Sequence, residues 1–399
     1  MMTAQGVAGI IADVPRPDAL PSETALRVAA TREDDPERAI QALFRDLDPP
    51  SLSGVLLFCS SRYDLDALAA ALRLRARDDL TIVGCTSSGE LTPEGIDEGT
   101  ITAIGFPAAE FRLAAMACND LDHFDTDGAR LRARRLVAEA VEATRHFGDH
   151  VHHAAIFLVD GLSHREEMLT LTLQDALGDV PLIGGSSGDG LDFRETFVFF
   201  DGAFRRDAAI VAILSSARRM QVFRVQHYRP GAVKMVITAA DTVARVVYEI
   251  NAEPAAEEYA RLVGASVADL GPAVFAAHPP MVRAGGEYYV RSIQSANPDG
   301  SLTFYCAIDE GIVLTLGEGD DMLAGLQTLF AGLESDVGGI DRIIGFDCVL
   351  NSLAAEQRQL RAPVSRAFAN AGVVGFNTYG EQFRALHVNQ TFTGLAIGR

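Results

Sequence analysis

The sequence predicts an α/β protein with mixed sheets, built from repeated strand-helix-strand-Gly-loop units and divided into two regions. Three observations carry that prediction. One short pattern occurs three times, as Ile82-Val83-Gly84-Cys85-Thr86-Ser87-Ser88-Gly89-Glu90, Leu182-Ile183-Gly184-Gly185-Ser186-Ser187-Gly188-Asp189 and Val373-Val374-Gly375-Phe376-Asn377-Thr378-Tyr379-Gly380-Glu381. A β-type run precedes each copy, at Val55 to Phe58, Ala155 to Val159 and Arg342 to Phe346. Between run and glycine loop the apolar residues take helical spacing, as at Leu65, Leu68, Ala69 and Leu72.

Taken in chain order, residues 1–24 read as a tail. The apolar stretch Val7 to Ile11 lacks the basic leader and the length of a signal peptide, and the first basic residue is Arg16, so the chain is expected to stay unexported. Thr31 to Arg38 reads as a solvated approach to a helix. Val55 to Gly84 and Ala155 to Gly184 span the same distance, and a strand, a covering helix and a returning strand predict right-handed crossovers with parallel pairing. Further strands are expected after each loop, at Thr100 to Phe106, at Thr196 to Phe200 with Ala208 to Leu214, and at Thr391 to Ile397.

Pro230-Gly231, after Tyr228-Arg229, is the predicted boundary between regions 25–230 and 231–399. Beyond it Asp241 to Ile250 and Ala255 to Val263 read as helices. Strands around Tyr288 to Ile293 and Leu302 to Ala307 are joined by Asn297-Pro298-Asp299-Gly300, a turn in which Pro presets φ and Gly accepts the left-handed conformation.

Composition narrows the chemistry. The 399 residues are 48 % hydrophobic, enough for substantial cores, and 54 acidic against 34 basic residues leave a formal charge of −20. That balance argues against nucleic acid, whose binding rests on clustered positive charge. Lys234 is the sole lysine, and its surroundings fit neither a Schiff base nor a phosphate loop. No stretch has the length and apolarity of a spanning helix, so no membrane insertion is expected. Five widely spaced cysteines, Cys59, Cys85, Cys118, Cys306 and Cys348, fit reduced core thiols in a cytoplasm.

Glycine loops at strand ends suit ligands, because backbone N–H groups can approach an anion or a planar group there, while tight turns and close packing explain the same glycines equally well. The candidate ligand-binding residues are Gly84, Cys85, Ser87, Glu90, Gly184, Gly185, Ser186, Asn377, Tyr379 and Glu381. Glu90 and Glu381 recur at equivalent points, to meet a ligand amine or to cap a loop. No copy reads Gly-x-Gly-x-x-Gly, which argues against a dinucleotide. Cys85 or Cys59 with a carboxylate would make a thiol enzyme, against the alternative of buried hydrophobes. Of nine histidines, the four from His146 to His153 read as a solvated loop. His164 and His387 follow a strand and a glycine loop, where each could ligate a haem iron or simply hydrogen-bond.

Taken together, Leu57-Phe58-Cys59-Ser60-Ser61-Arg62-Tyr63-Asp64 and the three glycine motifs, in that order, resemble the FIST family of sensory proteins, with an N-terminal FIST region to about 230 and a C-terminal one containing Asn251-Ala252-Glu253-Pro254-Ala255. The resemblance implies a non-enzymatic signal-input module for a small ligand, amino acids among the candidates. Some stand-alone members look like haem proteins that sense nitric oxide and regulate a histidine kinase. With both FIST regions filling the chain, output would pass to a separate signalling protein, through a contact that the charge of −20 predicts to be basic or apolar. A thiol enzyme and a ligand-free interaction scaffold are the alternatives.

Overall fold

The computed structural model describes residues 25–399; the tail assigned to residues 1–24 lies outside the described residues. The expected α/β fold is present, as several mixed sheets flanked by helices. Three of the sheets repeat one plan. The first orders its strands as Arg27–Thr31, Ile101–Pro107, Leu52–Ser60 and Thr81–Ser87; the second as Phe111–Asn119, Ala208–Ser216, His152–Val159 and Leu182–Ser186; the third as Met220–Gln226, Thr391–Gly398, Ile340–Cys348 and Val373–Thr378. The last two strands of each order pair parallel, in the register Leu57↔Gly84, Phe157↔Gly184 and Gly345↔Gly375. The strand-helix-strand crossovers inferred from spacing therefore exist in all three copies.

The sheets are completed by exchange. The hairpin after the first glycine loop, Glu90–Thr92 with Gly95–Asp97, pairs with the third sheet; the one after the second loop, Val198–Phe200 with Ala203–Arg205, pairs with the first; the one after the third, Glu381–Phe383 with Leu386–Val388, pairs with the second. Each unit thus closes the sheet of another, and the cycle makes the three one folded body. Their inner faces meet in a shared core in which Phe58 stacks on Phe376 at 4.8 Å and meets Phe346 edge-on at 6.4 Å.

Helices cover the outer faces, and several begin at an aspartate. Asp35, Asp64, Asp125 and Asp321 each accept the N–H of the third residue of Pro36–Leu47, Leu65–Arg75, Thr126–Ala143 and Met322–Val337, at 2.9–3.0 Å. The acidic run Thr31 to Arg38 is thereby explained as the approach to the first of them.

Residues 228–319 depart from the plan and form a further sheet between the first strand of the third unit and its first helix. The chain enters it at Tyr228, so Pro230 and Gly231 lie within the strand Tyr228–Asp241, at a register shift against Val313–Gly319. The helix expected over Asp241 to Ile250 is corrected here: a turn leads into the strand Val246–Ile250. The Asp241 carboxylate accepts the N–H groups of Val243 and Ala244, Arg245 adopts φ 56°, and β-branched Val246, Val247 and Ile250 continue as sheet. The helix Ala255–Val263 forms as expected, and a hairpin turns at Asn297 to Gly300, with Gly300 at φ 84°. Its first strand, however, is Ile293–Ala296, paired with Leu302–Phe304, while the first half of the expected strand Tyr288 to Ile293 belongs to Glu287–Val290, which pairs with Pro280–Ala284. Arg245 ties this sheet to the second unit through buried ion pairs to Glu166, 2.7 Å, and Glu167, 2.6 Å.

Candidate functional site

The three glycine loops converge. Ser88 N–H donates to the Asn377 carbonyl at 3.0 Å and Asn377 N–H to Gly89 at 2.8 Å; Gly188 N–H reaches Thr86 at 3.1 Å; Ser186 N–H reaches Gly380 at 2.8 Å. Every loop therefore touches both others through backbone. Tyr379 adds a side-chain link by donating its hydroxyl to Asp189. Burial alone would raise the Asp189 carboxyl, but that hydroxyl and the N–H groups of Glu195, Arg194 and Phe193 hold it below the usual carboxylate range.

The repeated glycines sit inside strands, before the loops. A Cβ on Gly84, Gly184 or Gly375 would overlap the carbonyl oxygen of Leu57, Phe157 or Gly345 in the parallel neighbour. Close approach of two backbones accounts for all three. Gly185 faces the Thr378 methyl, and the Asn377 side chain donates to Asp347 at 3.2 Å.

Loops one and three carry the same carboxylate clamp. Glu90 accepts from the Ser87 hydroxyl and from both the N–H and hydroxyl of Thr100, at 2.9 and 2.8 Å. Glu381 accepts from the Thr378 hydroxyl and from the N–H and hydroxyl of Thr391, at 3.0 and 2.7 Å. Burial pushes the Glu90 carboxyl up to about 7 and Glu381 up to about 8, against the opposing pull of those donors. The threonine ten residues after each glutamate was the readable signal for this clamp, and it is visible in the sequence.

Among the described residues, the clamp of the first loop adjoins a cavity that holds unpaired groups. A space of about 280 Å³ is bounded by Ser60 to Arg62, Ser87 to Glu90, Glu98, Gly99 and Asp189 to Asp192, so loops one and two both line it. Among the described residues no carboxylate lies within ion-pair distance of the exposed Arg62 guanidinium. It rests over Gly99, whose φ of 74° and missing Cβ leave the room. The Ser88 hydroxyl is buried without a partner among the described residues. Arg62 falls within the run Leu57 to Asp64, but its spacing carries no sign of this role, and Glu98, Gly99 and Asp192 belong to no motif. A larger space of about 500 Å³ at the opposite end of the first unit is lined by Arg73 and Arg77, both already engaged, Arg73 by the Gly202 carbonyl and Arg77 by Asp79 at 2.9 Å.

The cysteines and histidines behave differently. Cys59 and Cys85 are fully buried, Cys59 points its thiol at the Cys85 carbonyl, and burial raises both thiols, so neither is a thiolate at neutral pH. His164 is exposed, at φ 56° just before the helix Glu166–Leu177. His387 is 4 % exposed. Gln382 donates to its Nδ1 at 3.1 Å, and its ring lies so close to Gly380 that a Cβ there would overlap it. His387 Nε2 has no partner among the described residues, yet a haem needs a flat slot beside the ligating nitrogen. The buried ring, packed against Gly380, leaves none, so His387 does not fit a haem.

Comparison with protein families decides the relationship. Residues 54–253 match the FIST N domain and residues 255–384 the FIST C domain. The chain belongs to the FIST family. FIST domains are sensory domains, and the two matches together take in the three glycine loops and the inserted sheet. A search of curated proteins returns no match. No helix among the described residues of this FIST protein is long and apolar enough to cross a membrane.

Proposed function

We propose that this FIST protein senses a small polar ligand, a free amino acid, in the cavity at its first glycine loop, and passes the bound state to a separate signalling protein such as a histidine kinase. The lining of that cavity carries the reading. An unpaired guanidinium takes a carboxylate through two parallel hydrogen bonds, carboxylates suit an ammonium group, and Arg62 stands beside Glu98, Asp189 and Asp192. The volume of about 280 Å³ is near the lower end of the ~300–1,000 Å³ typical of ligand sites, a size for one small molecule. Haem is the weaker ligand reading because the packing of His387 opposes it. A non-enzymatic role is supported by the two buried, protonated thiols. Five free cysteines, all buried, support a cytoplasmic setting.

A route for the signal is also built in. Glu98 pairs with Arg361 at 2.7 Å, and Ser365 accepts the Ile96 N–H at 2.9 Å, so the helix Arg361–Asn370 of the third unit is fastened to the edge of the cavity. The test is thermal unfolding with each free amino acid and, separately, titration with haemin. At least one amino acid should raise the midpoint, by about 2.7 kcal/mol of stability at a hundredfold excess over Kd, and Arg62→Ala should abolish the shift. A Soret band with haemin and no response to any amino acid would overturn the reading in favour of haem.

A further inference from the structure

We infer that the ligand of the first-loop cavity is a basic amino acid, bound by its α-carboxylate at Arg62 and by its side-chain cation among Asp189, Asp192 and Glu98. The inference rests on the amino-acid reading above and sharpens it by charge and polarity. Glu98, Asp189 and Asp192 line the cavity with Arg62, three carboxylates against one guanidinium, a formal excess of two negative charges. Glu90 also lines it, but its oxygens are taken by Ser87 and Thr100 and burial favours its neutral form, so it adds no fixed charge. The ion pair from Glu98 to Arg361 reduces the excess to one.

A zwitterion such as glutamine offers one positive and one negative group and leaves that excess uncompensated. An acidic amino acid adds to it. A ligand with two cations and one carboxylate matches Arg62 and neutralises the remaining surplus, which is the arrangement that favours specificity through electrostatic complementarity. Asp189 supplies a permanent charge, because its carboxylate is held ionised by three N–H groups and the Tyr379 hydroxyl. Asp192 is exposed and has no hydrogen-bond or ion-pair partner among the described residues, so it is free to turn toward a cation.

Polarity narrows the class further. Among the described residues Leu191 is the one apolar side chain on the lining, and it is itself 42 % exposed. The rest is serine, glycine and charge. Such a wall gives an aliphatic or aromatic side chain nothing to bury against, whereas the flexible stem of a basic side chain needs only its charged end satisfied.

Calorimetric titration of the full chain with L-arginine, L-lysine, L-glutamine, L-glutamate and agmatine, which is arginine without its carboxylate, tests the assignment. Arginine or lysine should bind at least ten times more tightly than glutamine, glutamate should give no heat, and agmatine should bind at least ten times more weakly than arginine. Asp192→Asn should weaken arginine several-fold and leave glutamine unchanged. Glutamine or glutamate binding as tightly as arginine would overturn the charge assignment while leaving an amino-acid site. Silence from every amino acid, arginine included, would overturn the amino-acid site itself.

Discussion

The first and third glycine loops hold one clamp in two surroundings. In both, a buried glutamate ties the loop to a serine or threonine three residues back and to a threonine ten residues on. The register Cys59↔Ile101 and Asp347↔Phe392 makes Thr100 the counterpart of Thr391 and Gly99 that of Gln390. Gly99 leaves space for Arg62 and the cavity. Gln390 fills its place with a side chain that donates to the Ala276 carbonyl at 3.0 Å and accepts from Ser292 at 3.1 Å, both in the inserted sheet region. One loop therefore borders a cavity and the other is plugged by the protein itself, so the clamp is a structural element and the neighbouring residue decides whether a cavity lies beside it.

The glycines within the strands should mark where the two loops are still alike. Gly84→Ala and Gly375→Ala both force a Cβ into a partner carbonyl, with no side chain that can yield. Each should cost at least ~4 kcal/mol, at the diagnostic end of single substitutions. Yield of folded protein and urea midpoints report it. A mild effect at one of the two would break the equivalence.

Removing the clamps should separate them. Glu381→Ala strands three buried donors, at ~1–3 kcal/mol each. Glu90→Ala strands three as well, but its side chain borders the cavity, from which water can enter to meet them. Urea unfolding should place the Glu381 variant a few kcal/mol below the Glu90 variant. Equal losses would mean that the third loop is as accessible as the first.

The pH dependence sharpens the same contrast. In an unfolded chain a glutamate titrates near 4.5, whereas burial raises Glu90 to about 7 and Glu381 to about 8 in the folded state. The folded state then holds more protons across these windows. Stability is full below the unfolded value and falls as pH rises, through about 7 for Glu90 and about 8 for Glu381, with a slope of up to ~1.4 kcal/mol per pH unit for each proton. Unfolding free energies from pH 5 to 9 should show the decline, and Glu381→Gln should flatten its upper part while Glu90→Gln flattens the lower.

How far the sequence reveals this follows from which interactions are local. The crossovers and strand runs are legible because period and spacing are properties of short segments, and Glu90 and Glu381 stand at a repeated distance from a repeated glycine. The hairpin exchange is not legible. Glu90–Thr92 pairs with Val373–Thr378 nearly three hundred residues away, and its pattern fits any sheet edge equally well. Arg62 is hidden for the same reason: its role depends on Gly99, which no local pattern connects to it. The stretch Asp241 to Ile250 reads as a helix because Asp241 caps a turn as readily as a helix, and only the pairing of Val246–Ile250 with Tyr228–Asp241 decides for the strand.

The smallest expected change in stability belongs to Gly99, and it bears most directly on the ligand. Alanine at φ 74° costs about 1–2 kcal/mol in backbone strain. Its Cβ would overlap the Arg62 guanidinium, which sits at the end of a flexible, exposed side chain and can swing away. Gly99→Ala should therefore remain folded and keep the Glu90 clamp, since Thr100 supplies its donors from the next residue. What it removes is the position of Arg62 above the cavity. Thermal shifts measured with and without L-arginine should show a small drop in the unliganded midpoint and loss of most of the ligand-induced rise. The reciprocal change, Gln390→Gly, should cost about 1–3 kcal/mol through the unpaired Ser292 and Ala276 groups and confer no arginine response, because no arginine stands at the third loop where Arg62 stands at the first. A response there would show that the clamp alone makes a site.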